Sequence, residues 1–137
     1  MNQEAKEKAF AYLESGLCVL PASAKKKHPE YSWKRFQARR PGKGELEELL
    51  RRRPQDDALA VVTGKVSGPA GLALVVIDFD QKGECFPLWL NAIESTLPRL
   101  VDRFVITRTQ HGGFHVGYLA PEGVVQGSEK LASRPGE

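Results

Sequence analysis

The sequence predicts an α+β fold: a mostly antiparallel sheet with helices packed on one face. Three observations carry this. First, the apolar run Leu72-Ala73-Leu74-Val75-Val76-Ile77 ends in Asp78-Phe79-Asp80 and reads as a buried strand. Second, Arg103–Arg108 and Phe114–Leu119 read as strands joined by the tight turn Thr109-Gln110-His111-Gly112-Gly113, which makes them a hairpin. Third, helical periodicity over 3–15, 43–53 and 84–97 alternates with strands along a chain of 137 residues, enough for one domain with a real core.

Composition is that of an ordinary globular protein, with 41% hydrophobic residues and a formal net charge of +3. No apolar run reaches membrane-spanning length, and the N-terminus does not read as a signal peptide. Cys18 and Cys85 stand alone, which fits a reducing compartment and no disulfide framework. A cytoplasmic protein is expected.

In the first helix Ala5, Ala9, Tyr12 and Leu13 share a face, and Gly16 offers a C-cap. Leu17–Pro21 reads as a short strand stopped by proline. The segment Ala22–Pro41 is polar and irregular. It carries Lys25, Lys26, Lys27, Lys34, Arg35, Arg39 and Arg40, interleaved with Tyr31, Trp33 and Phe36. Basic groups attract phosphates and aromatic faces accept stacked bases. A solvated loop anchored by Trp33 and Phe36 explains the same pattern. The helix at 43–53 has glutamates at its start and Arg51–Arg53 at its end, matching its dipole, and Pro54 stops it. Ala58–Thr63 reads as a core strand. Gly64–Pro69 is a glycine-rich turn that could present Lys65 to a phosphate, although the P-loop spacing is absent. The helix at 84–97 turns Phe86, Trp89, Leu90, Ile93 and Leu97 to the core, and Pro98 closes it. Beyond Pro121 the chain reads as a polar tail with one weak helical stretch at 128–133.

Side chains two apart on a strand share a face, so Asp78 and Asp80 project together while Ile77 and Phe79 point into the core. Paired carboxylates repel and favour a cation, and an oxygen-rich pair suits Mg²⁺ or Mn²⁺. Exposed acids at a strand end need no special cause, so the pair alone leaves both readings open. On the last strand Gly113, His115 and Gly117 face one way and Phe114, Val116 and Tyr118 the other. A histidine flanked by glycines leaves room for close approach by a ligand.

The combination resembles the archaeo-eukaryotic primase superfamily, above all the N-terminal primase–polymerase domains of plasmid, phage and mobile-element replication proteins. The residues that carry the resemblance are Ile77-Asp78-Phe79-Asp80, Thr109-x-x-Gly112-Gly113-x-His115, Trp33-Lys34 and Ala60–Gly68, spread over about residues 6–120. It implies an RNA-recognition-motif-like sheet as the catalytic part (about 70–120), an N-terminal α/β lobe (about 1–63) and a polar tail (121–137). It further implies template-directed nucleotidyl transfer from nucleoside triphosphates onto a DNA primer. Asp78 and Asp80 would be metal ligands for Mg²⁺ or Mn²⁺, and His115 the contact to the incoming nucleotide. Lys65, Arg108, Thr109, Gly112 and Gly113 become phosphate candidates, and Lys25, Lys26, Lys27, Trp33, Lys34 and Arg35 become nucleic-acid candidates. The resemblance leaves room for a helicase domain or partner in the full-length protein. The family's third motif, a later acidic residue, has no convincing counterpart among Glu122, Glu129 and Glu137, and the chain reads as truncated before it.

Four other readings compete. One is a non-catalytic module for single-stranded nucleic acid, supported by the basic loop. Others are a phosphatase of the haloacid dehalogenase type, in which Gln81-Lys82 departs from the expected motif, and a glycosyltransferase, which usually needs a longer chain. The last is a zinc site on His111 and His115, which lacks paired cysteines.

Overall fold

The computed structural model describes residues 1–132. Helix α1 (Gln3–Glu14) begins where the Asn2 side chain accepts from the Ala5 N–H at 2.9 Å, an N-cap that satisfies one of the helix's free donors. Its buried side is Ala9, flanked by Phe10 and Leu13, whereas Tyr12 is exposed. Strand β1 (Cys18–Ala22) pairs antiparallel with β2 (Ala58–Val62). All of β1 is buried because both its faces are covered. Val19 packs with Ala9 and with Leu46 and Leu50 of helix α2 (Lys43–Arg52). Cys18 and Leu20 pack on the other side with Phe36, Val66 and the half-buried Trp33.

The strand runs through Pro21 rather than stopping at it. Pro21 lies opposite Leu59, and its carbonyl accepts from the Tyr31 hydroxyl at 2.9 Å. The edge carrying that carbonyl, and the missing N–H, therefore faces away from β2, where proline is tolerated. Burial pushes the Tyr31 hydroxyl's pKa up, and the buried Asp56 carboxylate adds to this. Asp56 is held by the Arg53 guanidinium at 3.1 and 3.3 Å.

The second sheet has the order β3-β5-β4, with β3 (Leu72–Phe79), β4 (Val105–Arg108) and β5 (Phe114–Pro121) all antiparallel to their neighbours. It meets the first sheet at Gly64 and Leu74, which exchange hydrogen bonds of 2.8 and 3.1 Å. Ser67, fully buried, ties the junction: it accepts from the Cys18 N–H and donates to the Val62 carbonyl. Helix α3 (Phe86–Thr96) covers the back of this sheet. Phe79, Phe86 and Val116 form its core, with Ile77, Trp89, Leu90, Phe104 and Phe114 around them. Ring centroids in this cluster lie 4.1 to 6.3 Å apart, the spacing at which aromatic pairs attract.

Several boundaries differ from the sequence expectation. Pro98–Arg103 is a 3₁₀ helix, so β4 begins at Val105 rather than Arg103. Proline at a first helical position starts a helix as readily as it ends one. Leu97 is exposed at the cap between the two helices and is not a core residue. A short 3₁₀ turn (Gln81–Gly83) precedes α3, which therefore starts at Phe86. Residues 128–132 are not helical, and 133 lies outside the described residues.

Phe36 is completely buried and anchors the basic loop on β1. Phe36→Ala is expected to cost about 3–5 kcal/mol of stability, the usual loss for a buried phenylalanine, read from urea unfolding.

Candidate functional site

The register of the second sheet builds a row of polar side chains. Asp78 on β3 lies opposite His115 on β5, which in turn lies opposite Thr107 on β4. Directly paired residues share a face, and this is the face that α3 leaves uncovered. His115 Nε2 sits 3.3 Å from Asp78 Oδ1, with the two side chains 50% and 54% exposed. Water screens a pair this open, so the contact is weak and either partner is free to exchange it for a ligand.

Asp80 lies one residue past β3 in extended backbone, and the chain then turns sharply. Gln81, Lys82 and Gly83 all take left-handed backbone, with φ of +53°, +56° and +72°. Two non-glycine residues in this region each cost about 1–2 kcal/mol. The Gly83 N–H closes the turn on the Asp80 carbonyl at 2.9 Å. This folds α3 behind the sheet while Asp78 on its front face and Asp80 just past its end both remain exposed.

The hairpin is held by its own residues. Thr109 Oγ1 accepts from the Gly113 N–H at 3.0 Å, and the Thr109 N–H donates to the Gly113 carbonyl at 2.9 Å. A Cβ on Gly113 would overlap the Phe79 carbonyl oxygen and crowd Thr109 Oγ1. Gly113 is glycine because β3 and the hairpin close tightly there. Gly112 supplies a left-handed turn position (φ +83°). The structure gives Thr109, Gly112 and Gly113 a part in fixing the hairpin that presents His115.

The other sequence-derived candidates are dispersed. Arg108 pairs with Phe114 and so belongs to the back face, its guanidinium 5.6 Å from that ring. Lys65 is exposed beside the Gly64–Leu74 junction, four residues along β3 from Asp78, about 13 Å of strand. Lys25, Lys26 and Lys27 are exposed on the turn between Ser23 and His28, at the end of β1–β2 away from that junction. Asp57 fixes this turn by accepting from the Ala24 N–H. Trp33 is half-buried and packs against Phe36. Arg35 lies over the Phe36 ring and donates to the Ser32 carbonyl, and Lys34 is exposed. Among the described residues no hydrogen bond, ion pair or ring contact joins this basic segment to Asp78, Asp80 or His115. Glu122 lies past the far end of β5, about 23 Å of strand from His115. Glu129 is exposed beyond it, and Glu137 is outside the described residues.

Among the described residues no group of three or more His, Cys, Asp or Glu is placed to hold a metal ion, so the zinc reading on His111 and His115 gains no third ligand. The hard, exposed oxygens of Asp78 and Asp80 do fit Mg²⁺ or Mn²⁺. Mg²⁺ is usually bound by one or two carboxylates, with water and substrate phosphates completing the shell. Thr107 escaped the sequence reading. Counting the hairpin outward from Thr109–Gly113 puts it opposite His115, and that count is available from the turn length.

A family model described as Prim-Pol, bifunctional DNA primase/polymerase, N-terminal, matches residues 9–136. No curated protein matches the chain.

Gly113→Ala is expected to destabilise the protein by about 2–4 kcal/mol, since the fixed Phe79 backbone must move. Differential scanning calorimetry reads the loss, and an unchanged Tm would show that the hairpin does not close as tightly as described.

Proposed function

The chain belongs to the family of bifunctional DNA primase/polymerase N-terminal domains, and from that premise we propose that it performs template-directed nucleotidyl transfer from nucleoside triphosphates to a growing DNA primer. The observation that carries this reading is the pairing of Asp78 with His115 on an uncovered sheet face, 3.3 Å apart. A carboxylate and an imidazole so placed meet the two needs of a metal-bound triphosphate: hard anionic oxygens for the cation, and a donor for the phosphate oxygens.

In this reading a primer 3′-hydroxyl attacks the α-phosphorus and pyrophosphate leaves. Asp78 and Asp80 hold the cation from the rim of β3. A bound Mg²⁺ or Mn²⁺ supplies Lewis-acid polarisation of the phosphoryl oxygens and charge neutralisation. His115 turns Nε2 from the Asp78 carboxylate toward a phosphate oxygen and fixes the triphosphate relative to the acids. The rigid hairpin keeps the imidazole in place, so little ordering remains to be done when substrate arrives. The catalytic part is the β3-β5-β4 sheet with α3, and the N-terminal lobe (1–63) flanks it. Lys65 and the Lys25–Lys27 turn supply positive potential along the approach of template and primer strands. A helicase domain or partner of the full-length protein would provide the single-stranded template.

The test is primer synthesis and extension by the protein with Mg²⁺ or Mn²⁺. Asp78→Ala and Asp80→Ala are each expected to lower the rate by about a thousandfold or more, as loss of a metal ligand does. Chelation is expected to abolish synthesis, and His115→Ala to raise the KM for nucleotide as well as lower kcat. Synthesis that survives both aspartate changes would overturn the proposal.

A further inference from the structure

The uncovered face of the second sheet has two parts, and only the first is accounted for by metal and phosphate. Next to the row Asp78–His115–Thr107 runs a second row, Val76–Gly117–Val105, two residues further along each strand. The rows are about 7 Å apart. Val76 is 37% exposed, Val105 69%, and Leu119 beyond them 47%. An apolar strip thus lies beside a polar one, on the same face and at its end.

Gly117 sits in the middle of this strip, on the central strand, where glycine is destabilising relative to alanine. Nothing in the fold requires it. Its φ is not in the left-handed region. A Cβ there would meet Leu74 Cδ1 and the Val105 carbonyl oxygen at 3.8 Å and Val105 Cβ at 4.0 Å, all ordinary contacts. Gly113 and Gly83 differ, since a Cβ at either would collide with Phe79 or Phe114. Gly117 therefore leaves room for at least one methyl group, bordered by Leu74 and Val105, between two exposed valines and one row from the proposed phosphate site.

We propose that Gly117 is a specificity-determining residue: it lowers the sheet so that the sugar and base of a nucleotide lie over the Val76–Gly117–Val105 row while its phosphates meet Asp78 and His115. The inference rests on the reading given under Proposed function. Its ligand is a nucleoside group joined to phosphate. Charge at one end and apolar, flat-faced surface at the other match the polar and apolar rows in kind and in spacing. The group belongs either to the incoming triphosphate or to the last residue of the primer.

The experiment compares Gly117→Ala and Gly117→Val with the wild-type protein. Tm is read first, then equilibrium binding of a nucleoside triphosphate, of inorganic tripolyphosphate and of a primer–template, all with Mg²⁺. Gly117→Ala is expected to keep or raise Tm. Nucleoside triphosphate affinity is expected to fall about threefold in the alanine variant and about tenfold or more in the valine variant. Tripolyphosphate affinity is expected to stay unchanged, because that probe has no sugar or base. A fall in primer–template affinity alone would assign the space over Gly117 to the primer terminus. Variants that bind both nucleotide ligands like wild type would overturn the proposal. Wild-type protein that binds neither triphosphate would instead overturn the function on which it rests. If the valine variant does not fold, the alanine variant decides the matter by the same comparison.

Discussion

The candidate site depends on the register of β3 against β5. Side chains on a strand alternate between faces, so a slip by one residue would move Asp78 to the back of the sheet and expose Phe79. Two contacts hold the register. On the back face Phe79, Phe86 and Phe114 interlock, with the Phe86 and Phe114 rings only 4.1 Å apart. At the end of the pair, Gly113 lets the hairpin lie directly on the Phe79 carbonyl. Once Phe79 is fixed opposite Phe114, Asp78 must face His115. The pairing on the front of the sheet is set by aromatic packing on its back.

The same arrangement explains why the front is open. The left-handed turn at Gln81–Gly83 sends α3 behind the sheet immediately after Asp80. The 3₁₀ helix at Pro98–Arg103 then delivers β4 to the free edge of β5. Neither connection crosses the front face. The first sheet joins through Gly64 and Leu74, at the other end of β3 from the aspartates. The exposed Val76, Val105 and Leu119 beside the polar row form the kind of apolar surface on which ligands or partners bind.

Much of this was legible in the sequence. The strand of Asp78, the hairpin and the three helices follow from apolar periodicity and turn residues, and the family resemblance agrees with the matched family model. What periodicity could not show was decided by tertiary contacts. Pro21 stays in its strand because Tyr31 takes the outward carbonyl. Trp33 and Phe36 read in sequence either as a stacking face or as anchors of the basic loop, and they pack under that loop against β1. Arg108 stands beside the hairpin in sequence, and its pairing with Phe114 places it in the back-face row. The glycines of the hairpin strand read alike in sequence, and only their surroundings separate Gly113, which the fold requires, from Gly117, which it does not.

The central claim is that one sheet face gathers cation and triphosphate between Asp78, Asp80 and His115. Crystals grown with Mn²⁺ and a non-hydrolysable nucleoside triphosphate test it most directly, through the anomalous signal of the metal. A manganese peak is expected within about 2.2 Å of carboxylate oxygens of Asp78 and Asp80, with a phosphate oxygen in hydrogen-bond contact with His115 Nε2. Manganese and triphosphate bound together elsewhere on the protein, with the Asp78–His115 contact undisturbed, would contradict it.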